Sequence, residues 1–562
     1  MTIGWALKKS LAGYNRTTLQ SDLTAGLIVS LVALPLAMAL SIAVGLPPQY
    51  GLYTAIVAGI SVPLLGGSLH QVSGPTAAFV VVIAPIVAAH GLRGLIITTL
   101  IAGIILIIAG LLTVGRYISY VPYPVITGFT SGIAVVIAVL SINDFLGLHI
   151  AHMPESFYEK VTLILQSLPS TQWPEVAVGV VSLSLMFWSN HLINKLPSPV
   201  VGIAVGAFLG AVLIHSGFEV DTIGTRFHYL LADGTTGHGI PPFLPSFGFH
   251  GLSQSDLFAL PTFTELKILI VPSLVIAALA ALESLLSAAV ADGMADTKHN
   301  PNAELIGIGI GNILSGLASG IPATGAIART ATNIQHGGKT PLAAVFHGIF
   351  ILFYVLLFAQ YLSYVPMSAL AALLLFTAYR MSHITQFMRI LKFGPLEDSI
   401  TLIICFGFTV AIDMIAGVTV GIITACFLLM KRFSAITQLQ MSHHKNKESK
   451  IDHRSIPSNV AIYHINGSLF FGNAEEILEQ IEILAPQTTT FVVDLMDVPF
   501  VDMTGMIAIK RMVMDLSRNN KNTVICAKKV IADKLKRKLI DLSDKNIFIE
   551  NSVEIALEKL HP

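Results

Sequence analysis

The chain has 562 residues, of which 54% are hydrophobic and only 12% are charged, and its formal net charge is zero. Soluble domains carry about 25% charged residues, so this composition excludes an ordinary soluble protein and indicates many membrane-spanning helices. A net charge of zero gives no indication of a nucleic-acid partner, and the three cysteines lie far apart, without the spacing of a metal site or a disulfide framework.

Apolar segments of spanning or near-spanning length fall into two groups of seven. In the first half we expect spans near 23–46, 50–66, 75–90, 94–115, 123–143, 175–193 and 198–215. In the second half we expect them near 267–291, 302–319, 324–336, 341–363, 366–379, 399–412 and 415–431. Because seven is odd, the second half enters the membrane from the opposite side. The predicted fold is therefore an α-helical polytopic membrane protein with a 7+7 inverted repeat of 14 transmembrane segments.

Two short stretches, Val72–Phe79 and Gly320–Arg329, interrupt spans in corresponding positions of the two halves. Each is a Gly/Pro/Thr break followed by a short, weakly polar run. A break frees backbone N–H groups at the start of a half-helix, where the positive end of the helix dipole also favours an anion. In lipid such backbone is tolerated only where it lines a cavity within the protein, and paired breaks indicate a transporter's binding site. The predicted substrate site consists of six residues at the breaks: Thr76, Ala77, Ala78, Ala326, Ile327 and Ala328.

Lys and Arg residues are distributed unequally between the predicted loops, which orients the chain. With the N-terminus inside, the cytoplasmic loops contain Arg116, Lys195, Lys298, Lys339, Arg380, Arg389, Lys392, Lys431 and Arg432. The outer loops contain Arg93, Lys160, Arg226 and Lys267. Fourteen spans then return the chain to the cytoplasm, so we expect a multi-pass protein of a bacterial inner (plasma) membrane with both termini cytoplasmic.

The composition changes abruptly at residue 432, which predicts three domains. They are a transmembrane anion-transport domain at 1–432, a charged linker at 433–455 and a cytoplasmic α/β domain at 456–562. In the last we expect a hairpin of strands 459–465 and 468–471 around Asn466-Gly467. After it we expect helix 474–484, strand 491–495, helix 504–518, strand 523–527, helix 530–541, strand 547–550 and helix 552–560.

Nothing in the sequence predicts a cofactor. Gly338-Lys339-Thr340 imitates the end of a Walker A loop, but Asn333 stands where the first glycine belongs, and the stretch follows a membrane segment rather than a strand. ATP-driven transport is therefore not expected.

Several motifs resemble the SulP sulfate-permease family of anion transporters and exchangers. They are the break Ser73–Thr76, the run Gly45–Tyr53, the stretch Gly337–Thr340 and the soluble-domain turn Asp502–Gly505, which resembles the STAS domain that ends these proteins. Three further stretches, Ala281–Leu286, Pro35–Leu40 and Leu231–Gly234, are most similar to the bacterial dicarboxylic acid transporters of the family. The resemblance implies spans divided into a core and a gate domain, an elevator movement and usually a homodimer.

Glu283 lies in an otherwise uncharged run from Ile268 to Ala291. A carboxylate at that depth costs about 3 kcal/mol unless it is protonated or paired, and intramembrane acids are functional by default. We therefore expect Glu283 to bind the coupling ion, and Ser287, four residues later on the same helix face, to help bind it. In family members driven by sodium an Asp is typical at this position, so Glu favours a proton over sodium. The alternative is a structural hydrogen bond that fixes the helix.

Arg329 lies one turn into the second half-helix, where its guanidinium can pair with a carboxylate or a sulfate. It matches an Arg near the anion site of several animal relatives. The alternatives are extension to the cytoplasmic interface or pairing with Glu283. Many family members have Gln after the first-helix proline, whereas this chain has Leu36, and the less polar pocket favours an organic anion.

For Thr504 the family resemblance implies possible phosphorylation at the start of a soluble-domain helix, and the alternative is a helix N-cap. We expect the chain to be a secondary active transporter and no enzyme, taking up succinate, fumarate or aspartate with protons. Sulfate or bicarbonate transport, with protons or sodium, a passive anion channel and a membrane receptor are the alternatives. Besides the substrate and the coupling ion, the expected partners are membrane lipid, a second copy of the chain and a cytoplasmic protein on the STAS domain.

Overall fold

The computed structural model describes residues 3–150, 153–154, 156–192, 196–230, 235–244, 261–436, 438–442, 459–484, 488–538 and 546–560. The chain divides into two compact units, Met1–Ile422 and Ile423–Pro562. Outside the described residues lie most of the predicted linker, the end of the predicted helix 530–541, the loop lysine Lys195 and the motif Leu231–Gly234.

The first half of the membrane unit has nine α-helices among its described residues, and six of them contain the seven predicted spans. They are α1 (Trp5–Leu11), α2 (Arg16–Ala43), α3 (Pro48–Leu65), α4 (Val80–Leu111), α5 (Tyr123–Leu146), α6 (Phe157–Ser167), α7 (Trp173–Leu192), α8 (Ser198–His215) and α9 (Ile223–Arg226). A short hairpin of β2 (His228–Leu230) and β3 (Thr236–His238) follows α9. At Gly91 the backbone of α4 leaves the helical conformation, with a φ of 61° and a ψ of −165° that suit glycine, so α4 consists of two helices, which correspond to two of the predicted spans.

The second half repeats the same order of long, short and interrupted helices. They are α10 (Phe263–Ala295), α11 (Pro301–Leu317), α12 (Ile327–Gln335), α13 (Pro341–Leu362), α14 (Met367–Met381), α15 (Ile384–Phe393), α16 (Leu396–Ala411) and α17 (Met414–Ile436). Every predicted span falls on one of these helices or half-helices. By length and composition, eight helices of the described residues can cross a membrane.

Local signals explain where the long helices begin. At the start of α10, Thr262 and Glu265 form a capping box, each side chain bonded to the backbone N–H of the other residue. At the start of α11, the side chain of Asn300 accepts from the N–H groups of Asn302 and Ala303, and Pro301 occupies the first turn. These caps fix the entry points of the two helices that carry the intramembrane acids described below.

Small residues allow α4 and α11 to pack closely. A Cβ atom added to Gly103 would lie 2.7 Å from the carbonyl oxygen of Gly309, and one added to Gly309 would lie 2.7 Å from that of Gly103. Without an aqueous hydrophobic effect, contacts of this kind are what join helices in a membrane.

The second unit contains one five-stranded sheet in the order β5-β6-β7-β8-β9. The strands are β5 (Gln438–Ser442), β6 (Val460–Asn466), β7 (Thr490–Asp494), β8 (Asn522–Cys526) and β9 (Ile547–Glu550). β5 is antiparallel to β6 and the other pairs are parallel. The helices are α18 (Ala474–Leu484), α19 (Met503–Arg518), α20 (Lys529–Lys538) and α21 (Val553–Leu560), and buried apolar clusters line both faces of the sheet. The sheet is therefore mixed.

The hairpin predicted at Asn466-Gly467 is wrong. The antiparallel partner of β6 is β5, from the stretch that composition assigns to the linker, while Leu469 makes only an isolated parallel bridge to Val501. The Asn473 side chain explains the difference, because it accepts from the N–H of Phe470 and donates to the carbonyl of Ser468. A side chain that bonds the backbone locally competes with strand pairing.

Candidate anion-binding site

The two breaks meet in a two-residue antiparallel pair of β1 (Ser73–Gly74) with β4 (Thr324–Gly325). After β1 the chain makes a 3₁₀ turn, Ala77–Phe79, that leads into α4, and after β4 it enters α12 at Ile327. The N-termini of both half-helices therefore lie beside the same crossing. The first N–H groups of a helix have no acceptor within it, so the crossing collects backbone donors and two positive dipole ends.

One of the six predicted site residues contributes no free amide. The N–H of Ala326 donates to the carbonyl of Val72 at 2.9 Å and extends the β1–β4 pair. The amides at the start of α12 therefore begin at Ile327, one residue later than predicted. The side chains of Ile327 and Ala328 are exposed, whereas those of Ala77 and Ala78 are buried. The accessible part of the site thus lies on the α12 side.

Thr76 connects the first half-helix to the intramembrane acid. Its hydroxyl donates to Oε2 of Glu283 at 2.8 Å. Although Thr76 precedes the 3₁₀ turn, its side chain makes no capping hydrogen bond there. The predicted substrate-binding and ion-coupling residues are therefore in direct contact.

One face of α10 contacts both half-helices. Besides the bond from Thr76 to Glu283, the carbonyl of Ala280 accepts from the Thr324 hydroxyl at 2.8 Å, and Ser287 bonds to Thr330 at 3.1 Å. Residues 280, 283 and 287 share a face at helical spacing. Ser287 is thus engaged with the second half-helix, while Glu283 is engaged with the first.

Arg329 crosses from α12 to the first break. Its side chain is only 1% exposed, and Nη2 donates to the carbonyl of Pro75. Gly74 makes room for it, because a Cβ atom at that position would collide with Nη1. Such burial is incompatible with extension to the interface, and among the described residues Arg329 makes no ion pair with Glu283.

The remaining donors of Arg329 are unpaired. Within the described part of the chain, buried Nε and Nη1 have no hydrogen-bond partner. A buried guanidinium with free N–H groups costs desolvation energy unless an acceptor meets it. Carboxylate and sulfate oxygens are suitable acceptors for such a group.

Glu304 in α11 is a second buried acid, which the sequence interpretation missed. Its Oε2 accepts from the N–H groups of Gly67 and Ser68 at 2.8 and 2.9 Å. Its Oε1 accepts from Gln71 Nε2 at 2.6 Å and from the Ser284 hydroxyl at 3.1 Å. These four hydrogen bonds fix the loop before β1. The rule applied to Glu283, an acid within a predicted span, would have identified it.

The loop before β4 is fixed by neutral groups instead. Asn312 donates to the carbonyl of Ala323 at 2.8 Å and accepts from its N–H at 2.9 Å, and the Thr54 hydroxyl donates to the carbonyl of Ile321 at 2.8 Å. Both breaks are therefore held by side chains of the neighbouring helices, which preorganises the free amides.

In the soluble unit, Thr504 is not the N-cap of α19. That position belongs to Asp502, whose Oδ1 accepts from the N–H of Gly505 at 2.8 Å and whose Oδ2 accepts from that of Phe471 at 3.1 Å. Thr504 is the second residue of the helix and is half-buried.

Sequence comparisons place both units among known proteins. The model of the Sulfate permease family matches residues 19–404, and that of the STAS domain matches residues 453–554. The Putative sulfate transporter YvdB of Bacillus subtilis (strain 168) is 36% identical over 514 residues, which cover 91% of this chain and 92% of that protein. The Bicarbonate transporter BicA of Synechocystis sp. is 27% identical over 524 residues, covering 90% and 88%. The similarity thus extends over nearly the whole length of each protein.

Solved structures show the same fold. The transmembrane domain of a cyanobacterial bicarbonate transporter BicA is 26% identical, with a TM-score of 0.60 over 73% of this chain and 98% of that chain. Murine Solute Carrier 26 family member A9, an anion transporter in the inward-facing state, is 15% identical, with a TM-score of 0.83 over 99% and 94%. The predicted fold class, a helical membrane transporter with a C-terminal STAS domain, is confirmed, and the 7+7 repeat is consistent with it.

Proposed function

We infer from the preceding evidence that this chain, which belongs to the sulfate permease family, couples anion movement to protons through Glu283. It is a multi-pass membrane anion transporter and not an enzyme. The proposal concerns what this family membership leaves open: the coupling ion, the anion and the residues that bind them.

The hydrogen bond between Thr76 and Glu283 carries the proposal. An ionised Glu283 accepts a hydrogen bond from the Thr76 hydroxyl. The hydroxyl hydrogen then points away from the anion site. A protonated Glu283 instead donates to Thr76 Oγ1, and the hydroxyl becomes free to donate to the anion. Proton and anion binding then favour one another, which is the thermodynamic requirement of symport.

We propose that the anion lies at the N-termini of the two half-helices. The amides of Ile327 and Ala328 and the hydroxyl of Thr76 are donors at its accessible side, and Ala77 and Ala78 supply amides at the buried side. Arg329 adds the positive charge of a guanidinium with two unpaired nitrogens. Ser287 supports the second half-helix through Thr330.

For the substrate we propose a small dicarboxylate such as succinate, fumarate or aspartate. Leu36 is half-buried and apolar where many family members have Gln, and the fork of Arg329 matches one carboxylate. Sulfate or bicarbonate is the second candidate, supported by the names of the similar proteins from Bacillus subtilis and Synechocystis.

The proposal extends to the oligomeric state, the topology and the soluble domain. We propose a bacterial inner-membrane dimer with cytoplasmic termini, in which a core carrying both half-helices moves against a gate. Residues 1–432 then form the transport domain, and the STAS domain at 456–562 binds a cytoplasmic protein partner. Phosphorylation of Thr504 would add charge at the N-terminus of α19, where the helix dipole stabilises it.

Counterflow in proteoliposomes of the purified full-length protein tests the carrier proposal. A carrier loaded with unlabelled succinate should accumulate labelled fumarate, which neither a passive channel nor a receptor does. Excess succinate should suppress this accumulation, and excess sulfate or bicarbonate should not. Competition by sulfate alone would overturn the dicarboxylate assignment and leave the carrier assignment intact. Uptake that depends on sodium at constant pH would overturn the proton assignment.

A further inference from the structure

The short helix α15 joins two spans at one membrane surface. It occupies ten residues, Ile384–Phe393, between the end of α14 and the start of α16. Because α14 leaves the membrane where α16 enters it, both ends of α15 lie at the level of the same lipid headgroups.

One side of α15 is attached to the protein. The Phe387 ring contacts that of Phe406 in α16, with centroids 5.4 Å apart, and the Ser399 hydroxyl donates to the carbonyl of Ile390 at 3.1 Å. None of the helix residues is fully buried. The attachment therefore fixes the orientation of α15 and leaves its remaining surface uncovered by described residues.

Large apolar side chains lie on the uncovered surface. Ile384 and Met388, four residues apart on one face of the helix, are 55% and 43% exposed. An amphipathic helix with this pattern, positioned at the membrane surface, inserts its apolar side chains at the boundary between headgroups and acyl chains.

The charged residues on α15 and at the end of α14 are all positive, whereas Glu397 and Asp398, which follow in the first turn of α16, are half-buried. Arg380, Arg389 and Lys392 are exposed, and none makes an ion pair with another described residue. The sequence has no Asp or Glu between positions 376 and 396. Lys392 continues the helix row of Ile384 and Met388, and Arg389 is its neighbour three residues earlier.

We propose that α15 lies in the membrane interface and that Arg380, Arg389 and Lys392 bind the headgroups of anionic phospholipids. The occupant is the bilayer rather than a second protein, because both flanking helices place this surface at the lipid boundary. Each cation near an anionic membrane surface strengthens binding, and the apolar row adds the burial of its side chains. The lipid then anchors the connection between α14 and α16.

Thermal unfolding of the purified full-length protein tests the proposal. Added phosphatidylglycerol should raise the midpoint of the wild type more than phosphatidylcholine does. The variant R389Q/K392Q should bind phosphatidylglycerol roughly tenfold more weakly or worse and lose most of that difference. The charge-conserving control R389K/K392R should keep it. An equal response of wild type and R389Q/K392Q would overturn the proposal.

Fluorescence quenching supplies a second measurement that does not depend on folding stability. A fluorophore on Met388→Cys should be quenched by brominated lipid, and one on Gln386→Cys, on the opposite side of α15, should not. The exposed native thiol Cys426 is replaced by serine in both, whereas Cys405 and Cys526 are buried. Equal quenching at both positions, or a change of oligomeric state in R389Q/K392Q with an unchanged lipid response, would overturn the assignment to lipid.

Discussion

Thr76 and Glu283, which are 207 positions apart in the chain, share a 2.8 Å hydrogen bond between a half-helix and an intramembrane acid. This contact places the proposed proton site at hydrogen-bond distance from the proposed anion site. The proposed coupling therefore needs no long-range relay, because the hydroxyl that bonds to Glu283 is also a member of the proposed anion site.

The first prediction concerns Glu283→Gln. The amide of Gln can donate to Thr76 Oγ1 as a protonated Glu does, but it cannot release a proton. We expect uptake driven by an inward proton gradient to fall by about tenfold or more, while the affinity for the anion changes little. Counterflow exchange should persist. Flux assays in proteoliposomes with an imposed pH gradient measure the first quantity, and equilibrium binding measures the second.

Variants of Thr76 supply the matched controls. Thr76→Ser keeps the hydroxyl and should retain proton-driven uptake, whereas Thr76→Val removes it and should weaken both coupling and binding. If Glu283→Gln retained full proton-driven uptake, the coupling role would move to another group.

The sequence was sufficient for the helices and for the presence of two half-helices. Spanning length and apolar composition are local properties, and so are the Gly/Pro/Thr breaks, which is why their positions agree with the structure. The availability of the Ala326 amide is not local, because it depends on the register of two strands from opposite halves of the chain. The hydrogen bonds to Glu304 are not local either, because the four groups that donate to it come from α10 and from the loop before β1.

In the soluble unit the sequence predicts the elements but not the pairing of one strand. Its alternation of strands and helices is predictable from period and turn residues. The partner of β6 is not, because Asn-Gly signals a turn without indicating whether the chain then pairs or, as here, bonds locally through Asn473.

The second prediction is that Glu304→Ala destabilises the membrane unit. The substitution removes the acceptor of the buried N–H groups of Gly67 and Ser68, whereas Gln71 Nε2 keeps its hydrogen bond to Ser284 Oγ, and breaking such a network costs about 3–5 kcal/mol. We expect a lower thermal midpoint in detergent and a smaller monodisperse fraction. Glu219→Ala, at an exposed position, is the control and should change neither. An unchanged midpoint for Glu304→Ala would contradict the four hydrogen bonds.

The third prediction concerns Cys526 in the soluble unit. Burial raises the pKa of this thiol to about 12, and the charges of Asp494, Glu550 and Glu554 add to the shift. Because only the thiolate reacts, about one molecule in ten thousand is reactive at pH 8. We expect a maleimide to modify Cys526 only after urea unfolds the unit, with Cys526→Ser identifying the labelled peptide by mass spectrometry.

The sign of the same pKa shift fixes its effect on stability. The folded state favours the neutral thiol. The contribution of Cys526 to the free energy of unfolding is therefore complete below the ordinary thiol pKa of 9.0 and is lost as the pH rises toward 12. Stoichiometric labelling of Cys526 itself in the native protein at pH 8 would contradict its burial, whereas labelling of the exposed Cys426 is expected.

The fourth prediction separates two alanines of the proposed anion site. Ala328 is exposed at the start of α12, so Ala328→Leu should obstruct the site and weaken anion binding by about tenfold or more, with an unchanged thermal midpoint. Ala77 is only 6% exposed, so Ala77→Leu overpacks its surroundings and should destabilise the protein by about 1–3 kcal/mol. Ile327→Leu, which conserves volume, is the control. Normal binding by Ala328→Leu would place the anion elsewhere.

The last prediction concerns Arg329, which has two separable roles. Its bond to the Pro75 carbonyl joins the two breaks, and its unpaired Nε and Nη1 are proposed to attract the anion. Arg329→Ala should therefore raise the dissociation constant by about tenfold or more and also lower the thermal midpoint. Arg329→Lys keeps the charge and one donor for Pro75 but loses the planar fork. If the guanidinium contacts the anion, Arg329→Lys should recover most of the midpoint and little of the affinity, as measured by binding and unfolding of the same preparations. Full anion affinity in Arg329→Lys would show that a positive charge is enough for binding without the planar guanidinium. Full anion affinity in Arg329→Ala would show that Arg329 serves only to bond Pro75.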